Sequence, residues 1–379
     1  MADWGLPVAH VGETLRGQSD GDNGFSMSSK QTFGQAAGIE VRRADPNDLS
    51  AWEAARAHSR QRDHFNSALL LQDLHRHFLP LCIVECWREG QLIGGCWGWE
   101  QKGGSCVRFQ PPPSIGQGMV WIRDEGLAPS PRISLCQAVM VALVEWLPRH
   151  FDVIDLIAAP ELPDTRPFIA TGWDLQPWPT FRLPLTDETT LWENLEGKLR
   201  RQVKRARRGG IGVELADDAG VLVEMLNEMG RRRNLPWQAL EAFGRVHVRR
   251  VHEEGRGQLF VARTAEGKPA AALLPVWENR VASLYLGAVS GENGRRGANP
   301  LLHWEVIAWL VRQEIADVFD LYGVLPEEVG QFKKQFNAPL THGSRLLFTA
   351  SPTLRLHRHF HGLKSSLKHL LRRRRHQRG

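Results

Sequence analysis

Apolar and polar residues follow one another in short blocks whose spacing distinguishes helices from strands along most of the chain. Runs with a period near 3.6 predict helices, and short apolar runs between turn residues predict strands. In chain order we predict a strand at 39–41, helices at 46–58 and 68–78, a hairpin at 81–100 turning at 88–91, a strand at 105–109, a helix at 133–147, a strand at 153–158, a short helix at 164–170 and a strand at 173–185.

The same order of elements then occurs a second time. We predict a helix at 191–208, a strand at 211–215, helices through 252, a hairpin at 259–278 turning at 266–267, a strand at 281–288, a helix at 300–314 and a strand at 318–322. The hairpins end on the same dipeptide, Trp99-Glu100 and Trp277-Glu278, and residues 138–156 align without a gap to residues 303–321. This repetition predicts an internal duplication.

Length and composition favour a globular protein with more than one core. The chain has 379 residues, 42% hydrophobic and 24% charged, whereas single cores stop growing near about 250 to 300 residues. No apolar run reaches the ~18 residues of a membrane span, and the N-terminus lacks the order of a signal peptide, so we expect a cytoplasmic protein. The five cysteines form no CxxC pair, which favours buried, reduced thiols.

The positive charge is concentrated at the C-terminus. The net charge is +6, and residues 355–379 hold nine Lys or Arg and no acid, which leaves −3 (6 − 9) for the rest. We divide the chain into a disordered leader at 1–38, halves at 39–185 and 186–351, and a basic amphipathic tail at 352–379. The tail would pack on the body, lie on an anionic membrane or bind nucleic acid.

Three stretches of the second half resemble a known enzyme group. They are the basic helix and glycine stop at 198–210, the strand ending in Asp320 and Gly323, and the Phe-Lys pair at 332–333. With the element order, they resemble the GNAT acetyltransferase fold in the tandem arrangement of FemAB-type and CelD/BcsL-type proteins. The resemblance implies an α/β fold of two GNAT-like halves, each a mixed, mostly antiparallel sheet flanked by helices, with the second half catalytic.

The glycine-rich loop before the helix at 300 is a candidate carrier site. Helix-start N–H groups together with arginines attract phosphate, and Asn299 before Pro300 would cap that helix. We predict that acyl-CoA, as co-substrate, contacts Arg295, Arg296, Gly297 and Asn299. The spacing of the usual acetyltransferase loop is absent, so a solvated loop or another carrier stays open.

The only two tyrosines are candidates for proton transfer. A phenol at Tyr285 or Tyr322 could protonate the leaving group, and a carboxylate at Asp320 or Glu278 could accept a proton from the attacking amine. Asp320 aligns with Asp155, which keeps a structural role open, whereas Tyr322 aligns with Ile157. The first half is therefore expected to be chemically silent.

Lys333 completes the catalytic candidates, since the resemblance implies that the Phe-Lys pair lies where donor and acceptor meet. Its ammonium would stabilise negative charge on the carbonyl oxygen. Predicted substrate contacts are Arg201, Lys204, Glu278 and Phe332. The basic helix, with an expected capping box at Thr190 and Glu193, would instead be a plain solvated face if no phosphate binds there.

These residues predict an N-acyltransferase that moves an acyl group from acyl-CoA to an amine of a sugar, peptide or envelope-related precursor. One alternative is aminoacyl-tRNA-dependent peptidyl transfer, with tRNA as a partner. Another is a non-catalytic module whose tail binds nucleic acid or membrane. No bound cofactor and no metal site are expected, because His357, His359 and His361 lack carboxylate or thiolate partners nearby.

Overall fold

Strands from both halves of the chain join in a single sheet. The computed structural model describes residues 38–350 except 105, 113–114, 234–240, 292–296 and 324–326. Within these residues, thirteen strands belong to the sheet, in the order β1-β2-β3-β4-β6-β13-β7-β12-β11-β10-β9-β8, with β5 paired to β3. Helices pack against it, which confirms the predicted mixed α/β fold.

The first half provides the elements up to β7. They are β1 Ile39–Arg43, α1 Ser50–Arg56, a 3₁₀ turn His64–Asn66, α2 Ala68–His77, β2 Leu81–Arg88, β3 Gln91–Gly103, β4 Cys106–Gln110, β5 Val120–Ile122, α3 Pro129–Trp146, a 3₁₀ turn Leu147–Arg149, β6 Val153–Ala158, α4 Arg166–Ala170 and β7 Asp174–Pro184. The β2–β3 hairpin turns at Glu89-Gly90, as predicted, with φ of 50° and 75°. Such turns match the right-handed twist of the strands.

The second half provides the remaining elements. They are α5 Glu188–Asn194, α6 Gly197–Arg208, β8 Gly212–Ala216, α7 Ala219–Arg233, α8 Glu241–Glu253, β9 Leu259–Arg263, β10 Pro269–Glu278, β11 Val281–Val289, α9 Ala298–Arg312, β12 Val318–Asp320, α10 Glu327–Lys334 and β13 Leu340–Thr349. The β9–β10 hairpin has Gly267 at φ 77°, at its predicted turn.

The duplication seen in the sequence is present in the sheet. In each half one parallel pair interrupts the antiparallel order: β4 with β6, and β11 with β12. Val153 and Val318, which the sequence alignment matches, begin the second strand of each pair. Two tandem halves of similar strand order result.

The last strand crosses from the second half into the sheet of the first. β13 lies between β6 and β7 and pairs antiparallel with both. β7 in turn pairs with β13 through residues 174–181 and with β12 through residues 182–184. A division at 185/186 therefore separates strands that are neighbours in space.

Several local expectations are wrong. The predicted helix at 191–208 is two helices, and Asp187 caps the first by accepting from the Thr190 N–H at 2.8 Å, so Thr190 is not the cap. Helix α9 begins at Ala298 with Gly297, at φ 87°, in the cap position. Asn299 thus lies inside the first turn. Strands β5 and β13 were not expected.

Buried apolar side chains form two clusters. One covers the first half and extends to α7, α8 and the facing side of β10 and β11, and the other surrounds α6 and α9. All five cysteines are free thiols, and burial raises the pKa of the Cys82 thiol to about 12. No helix in the described part of the chain is long and apolar enough to span a membrane.

Candidate functional site

The second half opens where its parallel strands diverge. Pairing between β11 and β12 runs from Val281 with Val318 to Ser283 with Asp320. Just beyond these positions lie the two tyrosines, Tyr285 on β11 and Tyr322 after β12. Tyr322 has φ 55°, a left-handed conformation that a bulky residue rarely adopts and that often marks functional sites.

A segment of the first half fills this opening. We call residues 63–66 the plug segment; Asp63 caps its 3₁₀ turn by accepting from the Phe65 N–H at 2.9 Å. The Phe65 ring is fully buried, stacked on Tyr322 with centroids 4.9 Å apart and edge-on to Tyr285 at 5.5 Å. The site is therefore built by both halves.

The Tyr322 hydroxyl is held by a second segment of the first half. It accepts a hydrogen bond from the Gly116 N–H, and the Trp178 indole N–H donates to the Gly116 carbonyl at 2.6 Å. A Cβ at Gly116 would lie 3.1 Å from the Tyr322 hydroxyl oxygen, so the close approach favours glycine. Burial raises the pKa of Tyr322 well above its usual value, which keeps the phenol protonated.

Lys333 lies directly beside Tyr322. The Lys333 side chain is buried, although the rest of α10 is exposed or half-buried, and its ammonium donates to the backbone carbonyl of Tyr322 and to that of Gly323 at 2.9 Å. Burial lowers the pKa of Lys333 to about 8, while the Asp320 charge opposes that shift. The structure thus brings three predicted residues together, namely Asp320, Tyr322 and Lys333.

Asp320 is wholly buried and its oxygens are both hydrogen-bonded. One oxygen accepts from the Thr180 hydroxyl at 2.5 Å and from the Tyr322 N–H at 2.8 Å, and the other accepts from Arg182 Nε at 2.9 Å. Arg182 also pairs with Glu161. This geometry fits a positioning residue for Tyr322 better than an acceptor of a substrate proton.

Tyr285 faces a buried pair of histidines. Its hydroxyl has no hydrogen-bond partner among the residues that the structure describes. Nearby, Nε2 of His64 lies 3.0 Å from Nε2 of His247, and Nδ1 of His247 lies 2.8 Å from Asp73. Burial lowers the pKa of both imidazoles, and for His247 the Asp73 carboxylate opposes that shift.

The contacts of this pair link three groups in a row. Nδ1 of His247 faces the Asp73 carboxylate, and Nε2 of His247 faces Nε2 of His64. His64, Phe65 and His247 were not among the residues predicted from the sequence. No spacing could have revealed them, because His64 and His247 are 183 positions apart.

The remaining predicted residues lie elsewhere. Arg201 and Lys204 are exposed on α6, and Phe332 packs edge-on against His303 with centroids 5.0 Å apart. The Asn299 carbonyl accepts from His303, and a Cβ at Gly297 would lie 3.2 Å from a carbonyl oxygen of α6. Glu278 binds Arg56 between the halves. Arg295 and Arg296 lie outside the described residues.

Comparison with protein families agrees with this geometry. Residues 194–334 match the family described as the acetyltransferase (GNAT) domain. Residues 194–334 therefore form a GNAT-type acetyltransferase domain. The matched segment includes α6, the diverging strands β11 and β12, and Lys333, and it identifies the chain as an acyltransferase. No curated protein matches the chain.

Solved structures support the tandem fold. The chain is similar to FemX with a TM-score of 0.57 and 14% identity, over 84% of this chain and 99% of that one. It is similar to a conserved protein of unknown function from Bacteroides thetaiotaomicron with a TM-score of 0.54 and 9% identity, over 82% and 99%. The C-terminal domain of a protein described as a lysylphosphatidylglycerol synthetase from Agrobacterium fabrum gives 0.50 and 14%, over 80% and 93%. At these identities the likeness concerns the fold, which agrees with the FemAB-like tandem arrangement.

Proposed function

We propose that the chain transfers an acyl group from acyl-CoA to a primary amine, at a centre formed by Tyr322 and Lys333. The observation that carries this proposal is the placement of the Lys333 ammonium, held by two backbone carbonyls where β11 and β12 diverge. That position lies inside the segment that matches the GNAT domain.

Each group has a defined task in the reaction. The amine attacks the thioester carbonyl, a C–N bond forms, and negative charge develops on the carbonyl oxygen. An ammonium has three donors, and two of those on Lys333 are used by carbonyls, which leaves one for that oxygen. As the C–S bond breaks, the Tyr322 phenol gives its proton to the thiolate, and the proton lost by the amine returns through solvent to the Tyr322 phenolate, which regenerates the phenol.

The carrier would bind at the start of α9. The first N–H groups of this 15-residue helix point away from its body. Arg295 and Arg296, which precede the helix in the sequence and lie outside the described residues, carry positive charge. The double variant Arg295→Ala with Arg296→Ala should weaken acyl-CoA binding by ~100-fold or more, because charge-assisted hydrogen bonds contribute ~1.5–3 kcal/mol each and two are lost. Acyl-pantetheine, which lacks the phosphates, is the control: an equal loss with it contradicts the phosphate role.

Steady-state assays test the reaction itself. Purified full-length protein is given acetyl-CoA or a longer acyl-CoA together with amines of sugar, peptide or envelope-precursor type, and release of the free thiol is measured. Turnover that disappears in Lys333→Met supports the proposal. Equal turnover in that variant, or none with any donor that binds, overturns it.

The basic face of α6 favours one other donor. Seven Lys or Arg side chains lie between residues 198 and 208, and exposed ones include Arg201, Lys204 and Arg205. Such a face suits the phosphates of an aminoacyl-tRNA. Thermal shifts with acetyl-CoA and with charged tRNA separate the donors, and tRNA binding should weaken steeply between about 50 and 200 mM salt.

We also propose a location for the enzyme in the cytoplasm, with residues 352–379 held at an anionic membrane surface. Those residues lie outside the described part of the chain. The proposal rests on their nine basic residues without an acid, since each such charge near an anionic surface contributes ~1 kcal/mol. Removal of residues 352–379 should abolish sedimentation with anionic liposomes. Full-length protein that ignores those liposomes at low salt contradicts the proposal.

A further inference from the structure

A cavity of about 550 Å³ opens between the two halves, apart from the centre at Tyr322 and Lys333. We call it the inter-half pocket. The first half contributes side chains of α1 and the turn that follows, and the second contributes the end of β10 and the loop before β9. The lining residues are Glu53, Ala54, Ala57, Arg62, Arg256, Trp277 and Glu278.

Two buried polar atoms of this pocket lack a hydrogen-bond partner among the described residues. They are Oε2 of Glu278 and Nε of Arg62. The Glu278 side chain is 11% exposed, and its other oxygen accepts from Arg56 at 2.9 Å. Arg62 Nε lies 3.7 Å from that oxygen, which is too far for a hydrogen bond. Buried groups of this kind are costly unless a partner satisfies them, so the pocket offers one acceptor and one donor.

Arg256 adds a second cation, which forms ion pairs with three carboxylates but no hydrogen bond to any of them. Its guanidinium lies 3.7 Å from Glu53 and from Glu254 and 3.8 Å from Glu278, and none of these contacts is a hydrogen bond. Arginine can bind a carboxylate through two parallel N–H bonds. Arg62 and Arg256 can therefore bind an anionic group without breaking an existing hydrogen bond.

Beneath the pocket lies Arg56, whose side chain is fully buried. It donates to Glu53 and to Glu278, and on its other side it donates to the Asn66 side chain at 3.1 Å and to the Asp63 carbonyl at 3.2 Å. Asp63 and Asn66 belong to the plug segment. The floor of the pocket is thus fixed in place, and it is connected to the segment that fills the site at Tyr322.

We infer that the inter-half pocket binds the zwitterionic head group of an α-amino acid. The ammonium would donate to Oε2 of Glu278, and the carboxylate would accept from Nε of Arg62 and from Arg256. A simple amine would leave Arg62 unsatisfied, and a simple anion would face Glu53 and Glu278.

The rest of the ligand would meet an apolar wall. Trp277 is oriented by its indole N–H, which donates to the Gly255 carbonyl at 2.7 Å, and Ala54 and Ala57 line the same cavity. An apolar side chain fits these surfaces. This site goes beyond the acyl transfer proposed above, because its occupancy can be measured without any acyl donor.

Titration calorimetry on the full-length protein tests the inference with three probes. L-leucine carries both charges, N-acetyl-L-leucine lacks the ammonium, and L-leucinamide lacks the carboxylate. We expect L-leucine to bind at least about 10-fold more tightly than either analogue, because each analogue loses charged hydrogen bonds. Absence of binding by L-leucine, or equal binding of all three, overturns the inference.

Variants locate the binding. Arg62→Gln and Arg256→Gln keep the Glu278–Arg56 bond, so they should fold, and each should weaken L-leucine binding about 10-fold. Glu278→Gln should do the same and is checked for folding by circular dichroism; if it fails to fold, the two arginine variants decide. The matched control is Arg280→Gln, an exposed arginine paired with Asp317. Unchanged affinity in both pocket arginine variants contradicts the assignment.

Discussion

The ring of Phe65 lies on the ring of Tyr322 with an interplanar angle of 15°, although the two residues belong to different halves of the chain. Phe65 also touches Tyr285, so one side chain of the first half occupies the space between both tyrosines of the second. The centre that we propose in the second half is therefore completed by a side chain of the first half, even though no catalytic residue is assigned there.

Removal of the Phe65 ring should destabilise the protein strongly. Phe65→Ala leaves a cavity between the rings of Tyr285 and Tyr322, and such truncations of a buried ring cost ~3–5 kcal/mol. The urea midpoint of unfolding should fall accordingly. Ile169→Ala is the control, since Ile169 is 55% exposed and its truncation should change stability by less than ~0.5 kcal/mol. Similar midpoints for both variants would show that the plug segment does not hold the halves together.

Tyr322→Phe tests the proposed proton donor. Turnover should fall by ~10²-fold, the usual size of a general-acid contribution. Stability should fall only by ~1 kcal/mol, because the variant loses the hydrogen bond from the Gly116 N–H. Measurement of kcat together with the melting temperature separates the two effects. Full activity in a folded variant returns Tyr322 to a structural role.

Tyr285→Phe gives the opposite expectation for stability. Its hydroxyl is buried and unpartnered among the described residues, so its removal relieves a desolvation cost. The melting temperature should stay the same or rise. A clear decrease would mean that the hydroxyl makes a bond to solvent or ligand in solution.

Lys333 predicts a specific pH dependence. If its charged form stabilises the carbonyl oxygen, kcat should decline as pH rises through about 8, the lowered pKa of this buried group. Lys333→Arg should remove that decline, because a guanidinium stays protonated. The neighbouring exposed Lys334 provides the control, and Lys334→Met should keep the decline. A profile that is flat in the native enzyme excludes the proposed role.

Lys333 should also make stability depend on pH. Over the range in which kcat declines, the free energy of unfolding should increase with pH. The pKa of Lys333 is about 8 in the folded chain, below the ordinary value of 10.5. Between these values the unfolded chain binds a proton that the folded chain has released, so this residue makes folding more favourable as pH rises. Lys333→Met should lack that increase.

Loss of the buried pair of Arg182 and Asp320 should lower the free energy of unfolding far more than loss of the exposed pair of Arg280 and Asp317. Arg182→Ala leaves the wholly buried Asp320 without its cation, which typically costs ~3–5 kcal/mol. Arg280→Ala breaks a pair whose side chains are 56% and 65% exposed, worth at most ~1 kcal/mol. Chemical denaturation of both variants checks the contrast. Equal effects would show that Asp320 is not held as the structure has it.

Both hairpins and the internal duplication could be predicted from the sequence. Alternating apolar runs around Glu89-Gly90 and Glu266-Gly267 predicted both hairpins, because turn geometry and strand period depend on neighbouring residues. The match between residues 138–156 and 303–321 predicted the repeated helix and parallel strand. The stretches at 198–210 and 332–333 indicated the GNAT-type half. All of these are properties of short, contiguous segments.

Only the tertiary structure decided which segments meet. The alternation of residues along β13 predicts that the strand has two faces. It does not predict that the strand enters the sheet of the first half between β6 and β7. Nothing near Phe65 indicates that its ring lies against Tyr322, and nothing near Asp320 indicates that Thr180 and Arg182 reach it from β7. Such contacts join residues more than a hundred positions apart, and their partners are chosen by strand order and by packing of the whole chain, which local periodicity does not encode.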